Sequence, residues 1–378
     1  MIERPFWLQR ISEAWKAVPI VWLAGVRRVG KTVLAESLGK DRILYLNCDL
    51  PTTADMVSNP ELFYRNCDKR VIVFDEVHQL NDPSRVLKIG ADLFPNLKIL
   101  ATGSSTLAAS TRFRDTLTGR KRLVHLTPVL SDELKAFGDI PLLKRLHKGG
   151  LPQALLAEDK APEFYREWLD SFFARDIQKL FNFREPRKFN ALFEYLLKQS
   201  GGVLEITRTA SALGISRPTV EGYLRALEAT HAMTLVRPFS GGGQKEIVKA
   251  PKVYGFDTGF VSFCRGWDPL RPEDYGVLWE HVVLEYLQAH AWNSQIYYWR
   301  DASGREVDFV LPRKRDAVDA VECKWDPGNF DSAALKAFRS YYPDGKNFLL
   351  SPQTTRRYAK RIGGLDLQVS NLDGWRDE

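Results

Sequence analysis

Short, wholly apolar runs punctuate the first third of the chain: Ile20-Val21-Trp22-Leu23-Ala24, Val71-Ile72-Val73-Phe74 and Ile99-Leu100-Ala101. Runs of this length with no polar alternation predict strands buried on both faces, as in a parallel sheet covered by helices. From Pro128 to about Gly201 the period changes to that of helices. Phe164, Trp168, Phe172, Phe173, Ile177 and Leu180 recur at helical spacing, which reads most simply as core.

A different grammar begins at Glu205. Small residues in a short helix meet Gly214, Ser216 then caps a second helix, and Pro218 falls in its first turn, where proline is tolerated. Val220, Tyr223, Leu224 and Leu227 give that helix one apolar face, so the pair predicts a helix-turn-helix. Met233–Phe239 and Lys252–Phe256, joined through Gly241, Gly242 and Gly243, predict a β-hairpin wing. Further on, Leu278–Leu287 predicts a helix. Gln295–Arg300, Glu306–Val310 and Ala320–Trp325 predict three strands, and Ala333–Phe338 a closing helix.

With 378 residues, 44% apolar and 27% charged, the chain has material for two to four folded domains and none of the bias of a disordered or collagenous protein. Charge is interspersed through the first ten residues, and no apolar run approaches the ~18 residues of a spanning helix. The expectation is a cytoplasmic protein with no membrane partner. Cys48, Cys67, Cys264 and Cys323 are scattered without a CxxC pair, so neither a zinc knuckle nor a disulfide framework is expected. The surplus of 54 basic over 47 acidic residues, a net +7, favours polyanion partners only if it is clustered.

The first strand runs into Gly25-Val26-Arg27-Arg28-Val29-Gly30-Lys31-Thr32 and then a helix beginning near Val33, the pattern GxxxxGK[ST] between strand and helix. Its glycines let the loop fold back so that backbone N–H groups from Gly25 to Val33 face a phosphate. Lys31 would reach the β- and γ-phosphates of ATP, and Thr32 would ligate Mg²⁺. The second apolar run ends in Asp75-Glu76. Asp75 would hold the Mg²⁺ and Glu76 would polarise the attacking water. The third run, closing at Thr102, Gly103 and Ser104, is followed by an arginine-bearing stretch with Arg112, Arg114 and Arg120. That stretch is either an arginine finger for a neighbouring copy, with Arg120 favoured, or a solvated face.

In this order, GVRRVGKT, VIVFDEVHQL, ILATGSS and an Arg-bearing stretch ending in GR, the chain resembles prokaryotic AAA-superfamily P-loop ATPases with an uncharacterised C-terminal domain. The resemblance covers most of the chain. It implies a parallel-sheet core, a small helical lid containing the Lys148-Gly149-Gly150 turn, self-association, and ATP with Mg²⁺ as cofactors. It also implies a γ-phosphate-sensing hydroxyl at Thr102 or Ser104 and makes Arg175, beside Asp176, a candidate lid arginine. Arg175-Asp176 equally suits a surface or interdomain ion pair.

The helix-turn-helix and its wing resemble a winged helix. Arg208, Arg217, Thr219, Arg225, Lys245, Lys249 and Lys252 are candidate phosphate contacts for DNA, opposed by Glu221 and Glu228 on the same helix. A protein partner is the other use of such a module. In the last domain Asp308 precedes Glu322-Cys323-Lys324, which resembles the D…ExK arrangement of PD-(D/E)XK nucleases, with Glu280 as an additional helix carboxylate. Two residues apart on a strand, Glu322 and Lys324 share a face. Asp308, Glu322 and Glu280 would hold a metal and Lys324 would orient water, unless the carboxylates and lysine are only a solvated edge. His78 and His281 adjoin these motifs; His78 either relays or senses near Glu76 or, more simply, is packed or at the surface, and neither is offered as a ligand.

The expected fold class is α/β: a P-loop AAA-type ATPase core at 1–127, a helical lid at 128–202, a winged helix at 203–262 and a restriction-endonuclease-like domain at 263–378. The expected function is ATP hydrolysis coupled to DNA binding, with metal-dependent cleavage or remodelling as an extension. The alternative is a STAND-like regulatory ATPase whose C-terminal domain binds a partner and cuts nothing.

Overall fold

Strand β1 (Ile20–Ala24) is buried at every residue, as a strand with both faces covered must be. In the computed structural model, which describes residues 2–39, 41–103, 116–181, 183, 185–240, 250–290, 295–313 and 317–375, it lies inside a five-stranded sheet. Its companions are β2 (Ile43–Asn47), β3 (Val71–Asp75), β4 (Lys98–Thr102) and β5 (Lys121–His125). The order is β2-β3-β4-β1-β5, and every pairing is parallel. Trp22, Phe74, Ile72, Ile99 and Leu87 fill the core on one side. Parallel order aligns the carboxyl ends of the strands, where a ligand crevice is expected in an open α/β sheet.

The described chain divides into two compact units, the first made of Met1–Thr127, Ala174–Asn182 and Ala229–His231, the second of Pro128–Phe173, Phe183–Glu228 and Ala232–Glu378. The sheet above belongs to the first. So does the turn carrying Arg175 and Asp176, part of a π-helical stretch at Phe173–Ile177.

The second unit holds the helical region, the helix-turn-helix and the remaining strands. Helix Ile206–Leu213 stops at Gly214 (φ +60°), the left-handed conformation that ends a helix, and helix Arg217–Ala229 follows. Strands β6 (Met233–Pro238) and β7 (Lys252–Gly255) are antiparallel. Arg237 and Pro238 at the end of β6 also pair in parallel with Tyr297 and Tyr298 of β8 (Tyr297–Arg300). The hairpin therefore extends the sheet formed by β9 (Glu306–Pro312), β10 (Val318–Cys323), β11 (Asn347–Leu350), β12 (Tyr358–Ile362) and β13 (Leu365–Ser370), in the order β12-β13-β11-β10-β9-β8-β6-β7. The expected boundary between 262 and 263 thus falls inside one unit with a continuous sheet.

Helix Pro272–His290 buries Leu278, Trp279, His281, Val282, Val283, Leu284, Glu285, Tyr286 and Leu287, residues that cover its whole circumference, as suits a helix passing through a core. Trp168 stacks on Phe172 and Phe256 (centroids 4.9 and 4.7 Å), so the aromatic stripe is core as expected. A polar knot lies beside it. Arg145, fully buried, donates to Val129 O (2.8 Å), Thr258 Oγ1 (2.8 Å) and Glu285 (2.5 Å). Asp257 accepts from the backbone N–H of Gly150 (2.6 Å) and Gly259 (2.8 Å). Gly149 has φ +82°, and a Cβ there would stand 1.9 Å from Asp257 Oδ1, so the knot dictates the glycine.

No helix among the described residues is long and apolar enough to cross a membrane.

Candidate nucleotide site

Gly25, directly after β1, has φ +151°, and a Cβ there would lie 2.5 Å from Leu126 O. The phosphate loop packs against the chain after β5 at a distance only glycine allows. Gly30 (φ +102°) and Arg28 (φ +63°) give the loop its remaining left-handed turns, and helix Lys31–Glu36 begins at once. Arg4, itself buried, donates to Thr127 O (3.2 Å) and Val29 O (3.4 Å) and ties the loop's back to the amino-terminal segment. Gly25→Ala is expected to cost about 2 kcal/mol or more of stability in this unit and to weaken nucleotide binding, read by calorimetric melting and ADP titration. Wild-type behaviour in both would contradict the packing.

Lys31 Nζ donates to Gly25 O (2.9 Å) and Val26 O (3.1 Å), inside the curve of the loop. Burial lowers its pKa, with Glu76, Asp176 and Asp75 opposing. Thr32 Oγ1 donates to Asp75 Oδ2 (2.9 Å), so the strand-end carboxylate and the loop hydroxyl meet as a Mg²⁺ site needs. Tyr45, on β2, donates to the same oxygen (2.5 Å), and Thr102 donates to Asp75 Oδ1. Burial, then the bond to Asp75, pushes the Tyr45 hydroxyl well above its ordinary range, so it stays a donor. Thr102, fully buried, also accepts from the Glu76 N–H (3.0 Å). It thereby joins both acidic residues.

Glu76 adopts φ +55°, uncommon for a side chain larger than Asn, which turns it out of the strand. His78 Nδ1 lies 3.2 Å from Glu76 Oε2. The hydrogen bond from His78 holds the Glu76 carboxyl below its usual range against the effect of burial, with Lys31 and Arg27 adding to the lowering. Arg27 Nη1 stands 3.9 Å from Asp176 Oδ2. Hard oxygen donors at Thr32 and Asp75 beside the Lys31 ammonium fit a Mg²⁺-nucleotide.

The other expected residues separate. Arg120 is bound by Asp92 (2.5 Å) at an exposed turn of the same unit. Ser104, Arg112, Arg114, Lys245 and Lys249 lie outside the described residues. Arg208, Arg217 and Arg225 are exposed on the two helices of the helix-turn-helix, with Arg217 paired to Glu221 (2.9 Å), and Thr219 is tied to Ser216 (2.7 Å). Lys252 corrects the expectation of a phosphate contact: it is 2% exposed and gives its ammonium to Glu280 (2.6 Å) and Glu306 (2.8 Å).

The C-terminal carboxylates also depart from the expected metal set. Glu280 accepts from Lys252 and from Tyr254 (2.5 Å), while Lys324 Nζ stands 3.3 Å from Asp308 and 3.0 Å from Glu322. Among the described residues no three His, Cys, Asp or Glu side chains are grouped to hold a metal ion. Burial alone would lower the Lys324 ammonium, but Asp308 and Glu322 outweigh it and raise it, so the cation stays fixed between them. These carboxylates carry Lys252 and Lys324 as counter-cations. His281 is buried, its Nε2 2.5 Å from Ser200 Oγ and its Nδ1 2.7 Å from Val277 O.

Comparison with known proteins agrees with the nucleotide site. Residues 17–135 match an AAA domain, while residues 141–271 and 275–364 match two domains of unknown function, DUF8612 and DUF4143. An uncharacterized protein of Mycobacterium tuberculosis is 27% identical over 322 residues, 82% of this chain and 71% of its own length. One from Methanocaldococcus jannaschii is 22% identical over 321 residues, 76% of this chain and 70% of its own. Among solved structures, the Thermotoga maritima RuvB Holliday junction branch migration motor is 18% identical with a TM-score of 0.28, covering 61% of this chain and 88% of its own. A superposition that loose carries no argument about either fold or activity. The family match and the site geometry together place an AAA-superfamily P-loop domain at residues 17–135.

Proposed function

We propose that the protein hydrolyses ATP to ADP and phosphate and that its nucleotide state governs engagement of DNA by the helix-turn-helix, which with its hairpin we read as a winged helix. The observation that carries the ATPase reading is the convergence of Thr32, Tyr45 and Thr102 on Asp75, beside Lys31 and Glu76. Thr32 and Asp75 would hold Mg²⁺, which when bound offsets charge on the phosphates. Lys31 supplies a fixed cation, Glu76 orients water, and Thr102 links Glu76 to Asp75. Self-association belongs to this reading, with Arg120, half-buried and paired to Asp92, as the arginine that a neighbour would draw away.

Arg208, Arg217 and Arg225 support the DNA part because all three are exposed on one helix-turn-helix. Binding of labelled duplex, measured by anisotropy from low to moderate salt, is expected to differ between ADP and a non-hydrolysable ATP analogue. Replacing the three arginines by Ala should flatten the log–log salt slope by about 3, near one per lost phosphate contact. Equal slopes would remove these residues from any DNA contact. A second reading, a regulatory ATPase that binds a partner and cuts nothing, is favoured by the lysine-neutralised carboxylates around Asp308 and Glu280. It predicts no cleavage in Mg²⁺ or Mn²⁺.

A further inference from the structure

A carboxylate from outside both acidic and phosphate-loop motifs stands at the nucleotide site. Asp176 lies in the π-helical turn Phe173–Ile177, a helix irregularity frequent at functional positions. Its Oδ2 is 3.9 Å from Arg27 Nη1 in the phosphate loop, with both side chains about three-quarters buried (24% and 29% exposed). That oxygen is enclosed and makes no hydrogen bond, so the contact is a charge pairing. Arg27, Lys31, Glu76 and His78 all act on the Asp176 charge. Burial raises its carboxyl against the pull of Arg27 and Lys31.

A phosphate chain and Asp176 compete for the same cations. Lys31 and Arg27 are the loop's positive charges nearest this carboxylate, and each unit of negative charge already facing them weakens the attraction for another. Resting on the ATPase reading above, we propose that Asp176 is an affinity-setting residue of the nucleotide site, holding Arg27 in an ion pair that bound phosphates must displace. The carboxylate acts on binding and not on bond cleavage. It keeps affinity low enough for product to leave.

The test is titration of a fluorescent ADP analogue into the full chain, comparing wild type, Asp176→Asn, Asp176→Glu, Arg27→Gln and the Arg27→Gln/Asp176→Asn double variant, with Lys31→Ala as the loop control. Asp176→Asn is expected to bind about three- to tenfold tighter, the scale of a partly buried charge contact. Asp176→Glu, which keeps the charge, should stay within about twofold of wild type. Arg27→Gln should bind more weakly, and adding Asp176→Asn to it should recover less than half of the gain seen in the wild-type background. Unchanged or weaker binding by a folded Asp176→Asn, while wild type binds and Lys31→Ala does not, overturns this inference alone. If Asp176→Asn fails to fold, tighter binding by Asp176→Glu than by wild type overturns it equally. Absence of binding by wild type overturns the nucleotide reading and this one with it.

Discussion

Glu76→Gln is expected to bind ATP with near wild-type affinity and to turn it over about 10²- to 10⁴-fold more slowly, the usual yield of a positioned acid–base group. Glu76 is not among the loop groups that face the phosphates, and its N–H bond to Thr102 survives the change. What is lost is the carboxylate charge, held below its usual pKa range by His78 and Lys31 and therefore ionised at neutral pH. A carboxylate whose proton affinity is lowered suits orienting and polarising a water. The measurement is phosphate release under saturating ATP beside retention of labelled ATP, with Lys31→Ala as the variant expected to lose binding itself. Normal turnover in Glu76→Gln would move catalysis to another carboxylate.

Much of that site is legible in the sequence because its chemistry is local in the chain. GVRRVGKT encodes a loop, a cation and a hydroxyl in eight consecutive residues, and the run Val71–Asp75 encodes a buried strand with an acid at its end. Tyr45 and Arg4 are not legible there, and Asp176 is legible only as half of an Arg175-Asp176 pair and not as the partner of Arg27. Tyr45 lies on a strand of mixed burial, Arg4 reaches Thr127 across 123 residues, and Asp176 joins the site from a turn more than a hundred residues past the loop. Nothing local distinguishes such residues from surface polar ones. Packing between segments far apart in the chain sets them.

The same limit explains the C-terminal domain. Asp308, Glu322 and Lys324 do meet, as the D…ExK spacing implies, because strands β9 and β10 are antiparallel neighbours. Lys252 was read as belonging to an exposed wing. Once β6 adds to β8, β7 is carried against Glu280 and Glu306, and the lysine becomes their buried counter-charge. A strand pattern gives faces but not neighbours, and the neighbour decided whether these acids were free for a metal.

Arg145→Met should be the most destabilising single change in the second unit. Arg145 offers its guanidinium to Glu285, Thr258 and Val129 with no access to water. Removing it strands buried acids at Glu285 and Asp257, and breaking such a pair from one side costs about 3–5 kcal/mol. The loss should depend on pH. Burial pushes Glu285 up to about 7 even with Arg145 opposing. A carboxyl whose folded pKa exceeds its unfolded value contributes stability that is complete below the unfolded value, near 4.3, and is lost as pH rises through about 7. Wild type should therefore lose up to about 3 kcal/mol from this group between pH 5 and pH 8, and Arg145→Met should lose more, because its Glu285 resists ionisation further. Glu285→Gln removes the titration and should flatten the profile. Urea unfolding of the three proteins at pH 5.5 and pH 8 reads all of this, and parallel profiles for wild type and Glu285→Gln would show that Glu285 does not gain its proton on folding.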